Sequence, residues 1–193
     1  MRKIIVHLIV FISCFAVPNY FALAASSPPL AGAVLPDIKL VAPQNPGERD
    51  YLGISVAGSF KIPQIKTSIV IIEIFSMYCP FCQAKAPKIN ELYYAIEKNL
   101  NLKGRIKLIG IGAGNSSFEV GVFRKTYDIP FPLFPDGDFS IHKALGEVRT
   151  PYFIGVKIND NGNRVFYSKP GGFEKPEQFL GLMLKLSGLK GED

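Results

Sequence analysis

Two cysteines three positions apart, Cys79 and Cys82, frame a Cys-Pro-Phe-Cys run between two patterned segments. Ahead of them, Ile69 to Phe75 is a β-branched apolar run, the pattern of a buried central strand. Behind them, Ala84, Ile89, Leu92, Tyr93 and Ile96 recur at helical spacing within Pro80 to Leu100. The pair therefore falls at a strand-to-helix junction. A cysteine at a helix start meets unpaired backbone N–H groups and the positive end of the helix dipole, and both favour thiolate over thiol. The thiolate is the form that attacks disulfides. Cys79, where water and the dipole reach it, is the candidate nucleophile, and Cys82, one turn inside, the candidate resolving thiol. Pro80 fits the first helical turn, where its missing N–H is no loss. Phe81 adds neither charge nor hydrogen bond, so it does not lower the thiolate pKa as a histidine would. This implies a potential nearer that of a reductant than of a strong oxidant.

Glu73 interrupts the apolar run six residues before Cys79. A buried carboxylate without a partner is costly, so its pKa should rise and it should be largely protonated near neutrality. Its chemical reading is a buried proton acceptor. The competing reading is a solvated residue at an open sheet edge. Other uses of the cysteine pair lack residues. Zinc needs two further ligands, and only His142 lies outside the N-terminal leader. Covalent haem needs a histidine after the second cysteine, where Gln83 stands. No cofactor or metal is expected. Lys85, three residues after Cys82, either stabilises a thiolate or is a solvated helix residue. The glycines of Gly110 to Gly114 lack the third glycine of a dinucleotide loop and read as a turn after a strand. Asp136 and Asp138 read as turn and cap residues.

The flanking elements must position this pair. Arg2 and Lys3, the apolar stretch Ile4 to Val17, and the small-x-small site Ala22 to Ala24 have the layout of a secretory signal peptide, residues 1–24. The apolar run is shorter than the ~18–20 residues of a membrane span. An uncleaved anchor and lipidation at Cys14 are the alternatives. Cleavage would remove Cys14 and leave one pair closing a very short ring, which constrains little in an unfolded chain. Such a pair is chemical rather than a staple. Residues 25–36 read as a flexible tether, and 37–190 as one domain. In 37–67 the patches Ile38 to Val41 and Tyr51 to Val56 suggest small strands or a hairpin. Arg105 to Gly112 reads as a second buried strand, Ser116 to Tyr127 as a helix, Phe131 to Phe134 as a strand, and Phe139 to Leu145 as a short helix. Tyr152 to Ile158 and Arg164 to Ser168 alternate around the turn Asn159 to Gly162, a hairpin signal. Lys175 to Leu186 is a closing amphipathic helix. Strand, helix, strand, helix, hairpin, helix predicts an α/β fold with a mixed sheet.

With 48% apolar residues the chain can build a core. Its net charge of +6 includes Arg2 and Lys3, and the other basic residues are dispersed, without a basic stripe interleaved with aromatics. Nucleic acid is not an expected partner.

This order of elements, with Cys-x-x-Cys at the first major strand-to-helix junction, resembles the thioredoxin fold over residues 35–188. It is most similar to the extracytoplasmic TlpA/ResA-like branch of the redoxins. Pro87 stands where thioredoxins have the kinking proline of the active-site helix. Thr150-Pro151 stands where they have the cis-proline loop, and Asp128 to Asp136 resembles the redoxin segment ahead of the short helix. Tyr78 replaces the usual tryptophan, and Lys85 replaces an acid of the ResA-like reductases. The resemblance implies a thioredoxin-like three-layer sandwich, a mixed sheet with helices on both faces, preceded by an N-terminal strand or hairpin extension. It implies that Thr150 and Pro151, with Tyr78, meet an extended substrate, and that Glu73 is the buried acid beneath the second cysteine. The function implied is an extracytoplasmic thiol–disulfide oxidoreductase acting on protein disulfides or thiols, more reductase than oxidase. Its redox partner would be a membrane thiol electron donor or acceptor. The alternatives are a peroxiredoxin-like peroxidase and a non-catalytic Cu(I) chaperone. For the peroxidase, Ser76 fits the motif and Arg149 is suggestive, but Ile72 occupies the proline position.

Overall fold

The computed structural model describes residues 27–55, 58–159 and 162–190. The leader with Cys14, and the tip of the Asn159 to Gly162 turn, lie outside the described residues. In chain order the elements are β1 (Lys39–Val41), α1 (Pro46–Leu52), β2 (Ser59–Lys61), β3 (Ile69–Phe75), α2 (Pro80–Lys98) and β4 (Ile106–Ala113). Then come α3 (Ser117–Thr126), β5 (Leu133–Asp136), α4 (Ser140–Ala144), β6 (Tyr152–Asn159), β7 (Gly162–Pro170) and α5 (Pro176–Ser187).

The β-branched runs become the middle of the sheet, because strands covered on both faces need apolar residues at every position. Strands β3 and β4 are buried along their whole lengths. The sheet order is β5-β4-β3-β6-β7. Strands β3, β4 and β5 are parallel, β6 is antiparallel to β3, and β7 is antiparallel to β6. Alternate β3 side chains feed two cores. Ile69, Ile71 and Phe75 pack with Ile89 and Leu92 of α2, Phe123 of α3 and Met183 of α5. Val70, Ile72 and Ile74 pack with Leu40 of β1, Leu52 of α1, Phe60 of β2 and Leu145 after α4. The result is the expected three layers, and β1 with β2 forms the expected N-terminal two-stranded extension.

Three expectations need correction. Tyr51 is not in a strand: Pro46–Leu52 is a helix. The Asn45 side chain caps its start, Pro46 occupies the first turn, and Gly53 closes it with φ 64°. Residues 32–35 are not a free tether. Gly32 N–H donates to Val165 O at 2.8 Å, Val165 N–H to Ala33 O at 2.9 Å, and Leu35 N–H to Asn163 O at 3.0 Å. This run covers the free edge of β7, and Leu35 is buried. Strand β5 begins two residues later than the apolar pattern suggests, because Pro132 has no N–H for the ladder and pairing starts at Leu133.

Candidate active site

Helix α2 begins at Pro80, with Cys79 at its N-cap in extended backbone (φ −86°, ψ 113°). The approach to it is a tight turn in which Cys79 N–H donates to Ser76 O at 3.0 Å. Cys79 is half-buried and Cys82 fully buried, both as free thiols. The Cys79 thiol donates to Thr150 O at 3.3 Å, across from the cis Thr150-Pro151 bond. A strand end, a helix start and a loop 71 residues away therefore meet at one sulfur.

The two sulfurs have opposite environments. Partial burial works against ionisation of Cys79. It is outweighed by hydrogen bonds from the Thr150 side chain, the Cys82 backbone and thiol, and the Phe81 backbone, and the thiol is held below its ordinary value. Burial pushes Cys82 well up, against a smaller lowering from the Ser76 backbone, and the negative charge of Glu73 adds to the rise.

Glu73 is 2% exposed, midway along β3, between Gly110 of β4 and Phe153 of β6. It is not at an open edge. Its Oε1 has no hydrogen-bond partner among the described residues. Burial first, and the Cys79 charge second, raise its pKa to about 8.

The remaining sequence-singled residues are distributed around this centre. Tyr78 is 65% exposed and its hydroxyl donates to Glu119 of α3. Phe81 is 72% exposed. Together with Lys85, Arg149, Thr150 and Pro151, Phe81 lines a cleft of about 180 Å³ whose far wall is Pro170 to Gly172. Lys85 does not serve the thiolate: its ammonium is paired with Glu174. Pro87 lies inside α2. Asp136 and Asp138 are caps, with the Asp136 carboxylate accepting the N–H groups of Ile141 and His142 at 2.9 and 2.8 Å, and Asp138 that of Ser140 at 3.0 Å. The His142 ring Nε2 lies 2.8 Å from Val148 O. No group of three His, Cys, Asp or Glu side chains able to hold a metal ion occurs among the described residues.

Two site residues carry no sequence signal. Asn115 Oδ1 accepts Met77 N–H at 2.8 Å, and Gln83 Nε2 donates to Met77 O at 2.7 Å. The first contact spans 38 residues, so no local pattern announces it.

A dithiol at a strand-to-helix junction, facing a cis-proline loop in a three-layer mixed sheet, defines a thioredoxin-like protein. The model of the AhpC/TSA family matches residues 32–174, and the chain belongs to that family. No curated protein matches the sequence. Among solved structures, the thioredoxin domain of a thiol-disulfide oxidoreductase from Bacteroides vulgatus is similar at 13% identity and a TM-score of 0.59, over 80% of this chain and 98% of that one. A secreted Mycobacterium tuberculosis disulfide oxidoreductase is similar at 18% identity and a TM-score of 0.52, over 67% and 90%. StoA from Bacillus subtilis is similar at 21% identity and a TM-score of 0.50, over 64% and 87%. These likenesses establish the thioredoxin-like fold. Family and site together support the enzyme class expected from the sequence, a thiol–disulfide oxidoreductase.

Proposed function

We propose that this redoxin exchanges disulfides with protein substrates outside the cytoplasm, with Cys79 as nucleophile, Cys82 as resolving thiol and Glu73 as proton acceptor. The observation that carries the reading is the contrast between the sulfurs: one half-buried and held low, the other fully buried and pushed up. The Cys79 thiolate attacks one sulfur of a substrate disulfide. A Cys79–substrate disulfide forms, and the substrate's other sulfur leaves as a thiolate. Cys79 is now neutral, so the charge that helped hold a proton on Glu73 is gone and the carboxylate forms more readily. It takes the Cys82 proton. The Cys82 thiolate attacks the Cys79 sulfur, closing the Cys79–Cys82 disulfide and releasing the reduced substrate. Two electrons from a dithiol donor, proposed to be membrane-bound, restore the pair. The half-buried Thr150 beside Pro151 and the exposed ring of Tyr78 receive the extended substrate.

The reductase direction rests on the Pro80-Phe81 dipeptide, which offers no charged group to hold a thiolate. A reduction potential below about −150 mV is expected, away from the ~−120 mV of strong oxidants. A higher value reverses the direction. Extracytoplasmic location rests on the signal-peptide layout of residues 1–24. No helix among the described residues is long and apolar enough to cross a membrane, and one structural neighbour is described as secreted. Intact mass after expression in a Gram-negative host should show an N-terminus at Ala25 or Ser26; a full-length, membrane-retained product would favour the anchor.

The AhpC/TSA family name makes a peroxidase the reading to exclude. Ile72, at the peroxidase proline position, is a buried mid-strand residue with its side chain in the core. Peroxide consumption should not exceed that of the free dithiol used as reductant. Catalytic consumption dependent on Cys79 would replace the disulfide reading.

A further inference from the structure

Met77 lies inside the turn that delivers Cys79 to its helix, and its peptide groups are held from two sides. Asn115, in the turn between β4 and α3, takes the N–H at 2.8 Å, and Gln83 on α2 takes the carbonyl at 2.7 Å. Asn115 is completely buried. Its Nδ2 has no hydrogen-bond partner among the described residues, so the amide is engaged through its oxygen. A buried amide satisfied at one end is a poor choice for packing alone, since an apolar side chain of similar shape avoids that cost.

The glycines around it are arranged to admit it. A Cβ at Gly112 would stand 3.1 Å from both Cβ and Oδ1 of Asn115, and 3.0 Å from Val120. Gly114 adopts φ +67°, a backbone that other residues rarely take, immediately before Asn115. The Gly110 to Gly114 run is therefore not the turn expected from its glycines: Gly110 to Ala113 lie in β4, and Gly112 and Gly114 leave room for one amide against the active-site loop.

We propose that Asn115 is a positioning residue for the nucleophile, fixing through the Met77 peptide the turn that sets Cys79 at the start of α2. The inference rests on the reading of Cys79 as the attacking thiolate. The N–H groups of Phe81 and Cys82 and the side chain of Thr150 stabilise that thiolate only at hydrogen-bond range, so the sulfur must be held in register with them. The turn is closed by Cys79 N–H to Ser76 O at 3.0 Å, and Gln83 N–H returns to Cys79 O at 3.1 Å. Releasing the Met77 N–H frees one wall of this frame and leaves a half-buried donor unpaired.

The test is the pH dependence of iodoacetamide alkylation at Cys79 in the reduced full-length protein, with the modified peptide identified by mass. Asn115→Leu should move the midpoint upward and slow alkylation near neutrality about fivefold, the population change that one hydrogen bond carries. Gln83→Leu, which frees the other face of the same peptide, should shift it in the same direction by less. Leu102→Ala, a core truncation away from the turn, should lower stability and leave the midpoint in place. Wild-type midpoints in folded Asn115→Leu and Gln83→Leu overturn the proposal; if Asn115→Leu does not fold, Gln83→Leu decides. Faster alkylation of Cys82 than Cys79 in the wild type would instead remove the underlying assignment of the nucleophile.

Discussion

Two of the ionisable side chains that the sheet buries are treated differently. Lys107 on β4 is 7% exposed and Glu73 on β3 is 2% exposed. Lys107 is provided for. Its Nζ lies 4.0 Å from the centre of the Tyr51 ring, and the negative charge of Glu97 offsets part of the burial that lowers its pKa. The Tyr51 hydroxyl also accepts Leu108 N–H at 2.8 Å, capping a stretch of β4 edge that the short β5 does not reach. Glu73 receives nothing of the kind. The ionisable groups it feels are the cysteines, which become negative like itself. A compensated buried charge can be architecture, whereas an uncompensated one is stability withheld, and such sites concentrate where chemistry is done.

The comparison breaks most decisively at the sulfurs. If chemistry resides where compensation is withheld, Cys79→Ser abolishes reduction of an insulin-type disulfide, while Lys107→Met turns over at a rate close to wild type. Cys82→Ser should still attack and then stall, accumulating a mixed disulfide visible on a non-reducing gel. Residual turnover in Cys79→Ser, or no trapped adduct with Cys82→Ser, would contradict the division of roles.

A smaller effect sharpens the acid's part. Glu73→Gln keeps shape and removes the base, so the first attack by Cys79 should change little. Resolution of the mixed disulfide should slow about tenfold or more, the scale of general acid–base assistance. Stopped-flow mixing with a disulfide substrate separates the two steps. Equal slowing of both would mean that Glu73 acts on the pair's geometry and not on the Cys82 proton.

How much of this was legible follows from where each signal lies. The Ile69 to Phe75 run, the Cys79–Cys82 pair and the helical pattern of Ser116 to Tyr127 are local patterns, and each became the expected element. Glu73 was legible because a charge inside a β-branched run cannot be placed cheaply. Helix α1 was missed although Asn45, Pro46 and Gly53 mark its ends, because its seven residues bury only Leu52 and show no apolar stripe. The pairing of residues 32–35 with β7 was illegible for another reason: small residues and prolines read as linker until an unpaired edge is found for them. Asn115 and Gln83 act through a peptide group, which leaves no trace in side-chain pattern.

The subtlest test compares the two buried groups through pH. The raised pKa of Glu73, about 8 against an ordinary 4.5, means that between these values the native state keeps a proton that the unfolded chain has lost. The native state then binds more protons, so stability falls as pH rises across this window and levels off above it. Lys107 has the opposite sign. Burial lowers its pKa from 10.5, so the native state releases its proton before the unfolded chain does, and stability rises with pH where that happens. Glu119, Asp138 and Glu174 are held below their ordinary values by hydrogen bonds, and their contribution falls below the window. Urea midpoints between about pH 5 and 7.5 should therefore flatten in Glu73→Gln and keep the wild-type slope in Lys107→Met, whatever the change in absolute stability. A wild-type slope in Glu73→Gln would place the titrating group elsewhere. A steeper one in Lys107→Met would show that the Tyr51–Glu97 surroundings do not keep the lysine charged across this range, and the contrast between the two regions would fail.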